Sequence, residues 1–154
     1  VVTVTGDGVV NPGNYKVLFG TNQNELIEAA GGLKEGCEKV ISGGPMMGFA
    51  MYTTDTPITK TSSSILCMSK DEVSACEPTA CINCGRCVDA CPSRIIPSRL
   101  ADFAERHDEE AFLKFNGLEC VECGSCSYVC PAKRQLKQAI GSMRKTALAN
   151  KKKK

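Results

Sequence analysis

Hydrophobic and polar positions alternate with a period of two in several short segments of the first half of the chain, as is typical of β-strands. Residues 2–5 form one such segment, and the glycine-rich turns after it predict a β-hairpin over residues 1–19. Further strands are predicted at residues 38–42, 58–60 and 64–69. Between the hairpin and these strands, a helix is predicted from a cap at Thr21 or Asn22 to the stop at Gly31-Gly32. This order predicts an α+β fold, compatible with a β-grasp in which one helix covers a mixed sheet.

The second half of the chain has helical periodicity and little strand pattern. Leu100, Phe103 and Ala104 share one face of a helix that opens at Pro97, and a second short helix follows Asp108. After residue 131, apolar residues recur at helical spacing at Leu136, Ile140 and Met143. We therefore expect this half to be mainly α-helical.

Two cysteine runs carry the chemistry of this helical half. Residues 81–92 read CINCGRCVDACP and residues 120–131 read CVECGSCSYVCP, with 6 of 12 positions identical. Each run contains C-x2-C-x2-C-x3-C-P, the spacing that binds [4Fe-4S] clusters through soft, anionic thiolates. The repeat predicts two [4Fe-4S] clusters in a helical dicluster ferredoxin domain.

The fourth cysteine of such a run ligates the other cluster in two-cluster ferredoxins. We therefore expect crossed ligation, with a cofactor-binding and metal-ligating set drawn from both runs. Cluster 1 is assigned to Cys81, Cys84, Cys87 and Cys130, and cluster 2 to Cys120, Cys123, Cys126 and Cys91.

Other uses of the cysteines fit less well. Zinc takes four ligands and would leave the third cysteine of each run without a purpose. Disulfides suit a secreted chain, but the chain has an odd eleven cysteines, no signal-peptide pattern and no apolar run long enough to cross a bilayer. The remaining Cys37, Cys67 and Cys76 are expected to be buried thiols, and His107 a residue at a helix end.

Composition and charge add two expectations. The chain starts at Val1 rather than Met, in a strand pattern, and we infer a piece of a longer polypeptide. Residues 131–154 contain nine basic and no acidic residues. Residues 147–154 are interpreted as a disordered, solvated tail, with docking to anionic lipid or to an acidic partner such as ferredoxin as the alternative.

Two stretches of the first half resemble a known module. VVTVTGDGVVNPGNYKV, followed by NELIEAAGGL, is similar to the soluble-ligand-binding β-grasp (SLBB) domain found in the flavin subunit of respiratory complex I and its relatives. The glycine-rich run GGPMMG at residues 43–48 is interpreted as a turn, with a phosphate or flavin cradle as the weaker alternative. The predicted domains are residues 1–72 (SLBB), 73–79 (linker) and 80–146 (dicluster ferredoxin).

ECVECGSCSYVCPAKRQLKQAI, with GGPMMG and CINCGRCVDACP upstream, resembles the C subunit of the Rnf complex, a membrane-bound, ion-translocating ferredoxin:NAD oxidoreductase. The resemblance implies electron relay without an acid–base pair or nucleophile. It implies that FMN and NAD(H) bind in an N-terminal region that this chain lacks. Other subunits of the complex, notably its ferredoxin-like subunit, and soluble ferredoxin are the implied partners, with no nucleic acid. The implied location is peripheral, at the cytoplasmic face of the bacterial inner membrane.

Two other functions stay open at this point. A cobalamin reductase of the propanediol-utilisation type has a similar layout, but its second run generally lacks the GSCSYVCPAKR continuation present here. A pure binding module, with the SLBB domain as ligand receptor and the clusters structural, would have clusters that are not reduced reversibly at physiological potentials.

Overall fold

A computed structural model describes residues 1–73 and 75–153 of the chain, the last of these by its backbone alone. The chain divides into two compact units, Val1–Ala75 and Cys76–Lys154. The division falls within the segment predicted to be the linker, residues 73–79, of which Ser74 lies outside the described residues. Each unit has its own hydrophobic core.

The first unit is built on a five-stranded mixed sheet. Its central strands run parallel to each other, with Val4 opposite Ile65, and the other neighbours pair antiparallel. The strands are β1 (Val2–Thr5), β2 (Gly13–Tyr15), β3 (Lys39–Ser42), β4 (Phe49–Met51) and β5 (Ser64–Met68). The strand order in the sheet is β2-β1-β5-β3-β4.

One helix, α1 (Gln23–Ala29), completes the first unit. Asn22 caps it, because its side-chain oxygen accepts a hydrogen bond from the backbone N–H of Asn24 at 2.9 Å. Leu26 and Ile27 of the helix are buried in the same core as Val4 of β1. A single helix packed with a mixed sheet confirms the predicted α+β class and agrees with a β-grasp layout.

Two details of the first unit differ from the sequence prediction. Residues 58–60 form no strand: Ile58 is buried, and its N–H donates to the Thr21 carbonyl at 2.7 Å, so an apolar side chain here marks a loop anchored to the start of α1. Strand β4 was not predicted, since its residues follow a glycine-rich segment. Residues 43–48 make the turn between β3 and β4, closed by a 2.8 Å bond from Gly48 N–H to the Gly44 carbonyl.

The second unit consists of helices and turns, without a strand in residues 76–153. Leu100, Phe112, Leu136 and Ile140 are fully or almost fully buried in its core, as the helical periodicity predicts. Its α-helices are α2 (Arg86–Asp89), α3 (Pro97–Glu105), α4 (Glu109–Lys114), α5 (Ser125–Tyr128) and α6 (Leu136–Lys153), with a 3-10 helix at Gly117–Glu119.

Helix α6 continues further than the sequence predicts. It runs through Lys153, whereas residues 147–154 were expected to be a disordered tail. Ala147, Leu148 and Ala149 are good helix formers, and the side chain of Ala147 is buried. Residue 154 lies outside the described residues. No helix in the described ranges combines the length and hydrophobicity needed to span a bilayer.

Candidate iron–sulfur centres

The two cysteine runs adopt the same backbone conformation. Positive φ angles occur at matched positions: 54° at both Asn83 and Glu122, and 77° and 83° at Gly85 and Gly124. A third matched pair follows the runs, with φ of 52° at Arg94 and 54° at Lys133. The left-handed region is unfavourable for residues other than glycine. Because positive φ angles recur at matched positions of both runs, the two loops need the same shape.

A short helix follows the glycine of each run and carries the third cysteine. The bond that closes this turn is repeated, from Val88 N–H to the Gly85 carbonyl at 2.8 Å and from Ser127 N–H to the Gly124 carbonyl at 3.1 Å. The third cysteines, Cys87 on α2 and Cys126 on α5, are 9% and 8% exposed. The folding of each run therefore turns one thiol into the core of the unit and leaves the first two nearer the surface.

The structure brings four cysteines of the two runs around a first cavity of about 110 Å³. The two most exposed of them, Cys81 and Cys84, come from the loop before α2. Side chains of Arg134 and Leu136, after the second run, complete part of its wall. The cysteines around this first cavity are Cys81, Cys84, Cys87 and Cys130.

A second, smaller cavity of about 20 Å³ lies against the other four cysteines of the two runs. Its wall includes Ile95 and Pro97 from the first repeat and Lys137 and Ile140 from α6. The cysteines around this second cavity are Cys91, Cys120, Cys123 and Cys126. Each cavity thus has three cysteines from one run and the fourth from its twin.

Burial and hydrogen bonds give the thiols of the second cavity different acidities. Burial raises the pKa of Cys126 to about 11 and also raises the pKa of Cys120, which accepts a 3.4 Å hydrogen bond from the N–H of Glu122. The Cys91 and Cys123 thiols contribute to the Cys120 shift because they lie nearby. Hydrogen bonds with Ser125 lower the pKa of Cys123. Metal ligation requires thiolates, so a cluster that binds at this cavity would release protons.

The donors fit iron–sulfur clusters. Each cavity offers four thiols and no competing carboxylate or imidazole apart from Glu122, whose carboxylate is paired with Arg144 at 3.2 Å. A side chain added at Gly85, beside the first cavity, would meet no atom within 4 Å, so the chain leaves space there. Among the described residues, no group of three or more His, Cys, Asp or Glu side chains is arranged to hold a single metal ion.

The cysteines outside the runs have three different environments. Cys67 is fully buried and Cys37 half-buried in the first unit, in line with the prediction. For Cys76 the prediction of a buried thiol is wrong, because this residue is exposed in the polar segment before the first run. His107 lies just after the end of α3 with a φ of 56°.

Sequence reasoning missed Arg134 as a residue of the first cavity. Its guanidinium donates to Asp102 and to Glu105 of α3, both at 2.9 Å. The sequence signal was available in the repeat itself: laying one run over the other puts Arg134 on Ile95, an ionic residue on an apolar one. Only the structure shows that the two line different cavities.

Two family models match the chain in agreement with these two units. Residues 1–50 match the SLBB domain, and residues 80–134 match the 4Fe-4S dicluster domain. The second match covers both cysteine runs, so the helical unit contains an iron–sulfur dicluster domain.

Among the curated relatives, the chain is 40% identical over 152 residues to the C subunit of the Na⁺-translocating ferredoxin:NAD⁺ oxidoreductase complex of Acetobacterium woodii. It is 48% identical over 141 residues to the C subunit of the proton-translocating ferredoxin:NAD⁺ oxidoreductase complex of Clostridium ljungdahlii. These matches cover 99% and 91% of the chain. The chain belongs to this family of C subunits.

The C-subunit family also includes the C subunit of the ion-translocating oxidoreductase complex of Yersinia enterocolitica, 42% identical over 71% of the chain. The chain spans about a third of the length of the first two relatives, 34% and 31%, and 16% of the third. The identities to these relatives confirm the resemblance to the C subunit of the Rnf complex that the sequence indicates. The two family models confirm the SLBB and dicluster modules.

Proposed function

We propose that the chain relays electrons through two [4Fe-4S] clusters, as part of a ferredoxin:NAD oxidoreductase complex coupled to ion translocation. One observation carries the proposal: two separate cavities, each lined by four cysteines, occur in a member of the C-subunit family. Cys81, Cys84, Cys87 and Cys130 are the proposed ligands of cluster 1, and Cys91, Cys120, Cys123 and Cys126 those of cluster 2.

The residues of the chain have three tasks in this function. The eight thiolates bind the clusters, the left-handed loops at Gly85 and Gly124 orient the first two thiols of each run, and the buried third cysteines exclude water from one side. When bound, a [4Fe-4S] cluster accepts and releases one electron at a time, which suits exchange with a one-electron carrier such as ferredoxin.

We further propose that FMN and NAD(H) bind to parts of the protein other than residues 1–154. The other subunits of the complex, above all a ferredoxin-like subunit, are the proposed partners, with soluble ferredoxin as the external one. The proposed location is the cytoplasmic face of the bacterial inner membrane, where the chain would be a peripheral protein. The names of the relatives, which are parts of complexes that translocate ions, support this assignment.

Anaerobic reconstitution of the chain with iron and sulfide tests the proposal. We expect about eight irons and eight sulfides per chain, and an EPR spectrum of the reduced protein with two interacting [4Fe-4S] centres. Four irons, or zinc retained through purification, would refute the assignment. Clusters that bind but cannot be reduced and reoxidised would favour the binding-module alternative instead.

A further inference from the structure

Arg134 and Ile95 stand at the same position of the two repeats. Ile95 follows the first run by as many residues as Arg134 follows the second, and the left-handed residues Arg94 and Lys133 directly precede them. Ile95 is buried against the second cavity, whereas Arg134 lines the first. At this position of the repeat, an apolar side chain therefore lies at one proposed cluster and a guanidinium at the other, while the charged residues in the wall of the second cavity are Lys137 and Glu122.

The guanidinium of Arg134 is held in one place. Its side chain is only 12% exposed, and Nη2 donates to Asp102 Oδ1 and to Glu105 Oε1, each at 2.9 Å. Burial by itself would lower the pKa of Arg134, but the hydrogen bonds and charges of Glu105 and Asp102 outweigh it and raise the pKa. Arg134 is therefore cationic at every pH at which the protein is studied.

The carboxylates that pair with Arg134 are more exposed to water than the guanidinium, and they line a neighbouring cavity. Asp102 and Glu105 are 37% and 57% exposed, so water screens them more than it screens the guanidinium. Neither carboxylate lines the first cavity, whereas Arg134 does. A cation in the cavity wall favours the more negative, reduced state of any cluster held there.

The same ion pairs also connect the two repeats. Arg134 belongs to the segment after Cys130, and Asp102 and Glu105 belong to α3, which follows the first run. The bonds hold the Cys130 segment on α3, next to the three cysteines of the first run. The Ala132 carbonyl in this segment accepts a further 3.0 Å bond from Thr79 N–H, just before the first run. At the second cavity, the matching residue of the other repeat offers packing alone.

We propose that Arg134 acts on one of the two clusters: it positions the Cys130 segment at the first cavity and raises the reduction potential of the cluster bound there. This inference rests on the proposed function and goes beyond it, since neither the cysteine pattern nor the dicluster fold distinguishes the two clusters. Arg134 is a positioning residue and does not ligate iron.

An EPR-monitored redox titration of the reconstituted full chain tests the proposal, with dithionite supplying one electron to each oxidised cluster. A Cys120→Ala variant identifies the signal of the first cluster, because Cys120 belongs to the second site whether or not the ligation is crossed. For Arg134→Met we expect the reduction equilibrium of the first cluster to become less favourable by on the order of tenfold, about 59 mV for a one-electron couple, and that of the second to stay unchanged.

Two further variants separate charge from position. Arg134→Lys keeps the positive charge. We expect the reduction potential of its first cluster to lie close to that of the unmodified chain and above that of Arg134→Met. Arg106→Met removes an exposed arginine from the end of α3 and is the matched control, expected to leave the first cluster within about threefold of its normal equilibrium. If Arg134→Met fails to bind the first cluster while Arg134→Lys binds both, the positioning role is supported.

Equal shifts of both clusters, no shift in Arg134→Met, an equal shift in Arg106→Met, or loss of the first cluster from Arg134→Lys would each overturn the inference. These outcomes differ from failure of the proposed function. If the unmodified chain binds fewer than about eight irons, the proposed function itself fails. If it binds them and Arg134→Met behaves like the unmodified chain, only the role of Arg134 is refuted.

Discussion

At the scale of single residues, four residues have an unfavourable backbone conformation for a common reason. Asn83, Glu122, Arg94 and Lys133 have φ between 52° and 54°, a region that costs non-glycine residues about 1 kcal/mol or more. Glu122 and Lys133 lack the short polar side chain that makes this region tolerable for Asn. The shape of the cysteine loops is thus maintained against local preference, as expected where a ligand has to be enclosed.

Replacing Cys91 tests the crossed ligation directly. Because Cys91 lies at the second cavity, Cys91→Ala is expected to release the downstream cluster and to leave the upstream cluster bound. Iron content should fall from about eight to about four per chain. Mass spectrometry after alkylation should then find the other cysteines of the second cavity modified and those of the first protected. The modified set is Cys120, Cys123 and Cys126, and the protected set includes Cys81, Cys84 and Cys87.

The matched variant is Cys130→Ala, for which the protected and modified sets should be exchanged. If Cys91→Ala exposed only the upstream cysteines, each run would ligate its own cluster and the crossed assignment would be wrong.

The buried thiol of Cys67 predicts a pH dependence of the first unit. Burial, with a contribution from the nearby Cys37, raises the pKa of Cys67 from 9.0 to about 11. The unfolded chain therefore loses this proton at lower pH than the folded chain, so the stabilisation is complete below about pH 9 and is lost as the pH rises to about 11. Urea unfolding followed by circular dichroism should show a falling midpoint over this range.

Cys67→Ala is the control for this effect. Below about pH 9, the urea midpoint of Cys67→Ala should be lower than that of the unmodified chain, because a buried side chain is truncated. The midpoint of the variant should depend less steeply on pH. Identical slopes for the two proteins would show that other groups, and not Cys67, are responsible.

The sequence predicted which cysteines line each cavity better than it predicted the rest of the cavity walls. Spacing alone assigns all eight cysteines of the runs, since the C-x2-C-x2-C pattern has few other uses. The repeat marks Arg134 as different from Ile95, but the role of Arg134 depends on Asp102 and Glu105, which come much earlier in the chain and approach it only through the packing of α3 and α6. Charged pairs of this kind have no periodic signature.

At the scale of elements, the turn after α4 requires a glycine at position 117. The reason is lack of space for a side chain, and not a positive φ angle. A Cβ added at Gly117 would lie 2.3 Å from Cε1 of Phe112, a fully buried ring. Gly117→Ala is therefore expected to destabilise the second unit by about 1–3 kcal/mol, as overpacking does. Thermal unfolding of the reconstituted protein would measure the loss.

Gly44 offers a matched control in the first unit. A Cβ at this glycine would meet no atom within 4 Å, and its φ is not positive. Gly44→Ala should change the thermal midpoint little. A comparable loss in both variants would mean that contact with Phe112 is not its cause, and the unfolded chain could not be the cause either, because replacing Gly by Ala lowers the entropy of the unfolded chain and so stabilises the protein.

Helices with an apolar stripe were easier to predict than short strands. Leu100 and Ala104 lie four residues apart on α3, Leu136 and Ile140 lie four apart on α6, and all four are buried. The strand that the sequence predicts at residues 58–60 is absent, because the single buried residue there, Ile58, anchors a loop. Strand β4 was missed for the opposite reason: Phe49 is exposed, so no alternation marks the strand, and its pairing with β3 is set by the preceding turn.

At the scale of the whole molecule, each of the two units has the hydrophobic core that an independently folding domain needs. The core residues of the sheet unit and those of the helical unit form separate clusters. We expect residues 76–154, expressed alone, to bind about eight irons, and residues 1–75 to fold without iron. Iron analysis and circular dichroism of the two pieces would check this. Failure of 76–154 to retain clusters, with the full chain retaining them, would show that the sheet unit is needed for assembly.

The shared cavities have a consequence for biosynthesis. In the proposed ligation, Cys130 completes the site of the first run and Cys91 that of the second, so both runs contribute to each cavity. A ribosome that has made only the first run has made three ligands of one site and one of the other. Metal loading must then wait until both runs have been synthesised and have met, and a nascent chain stalled between them would carry no finished centre.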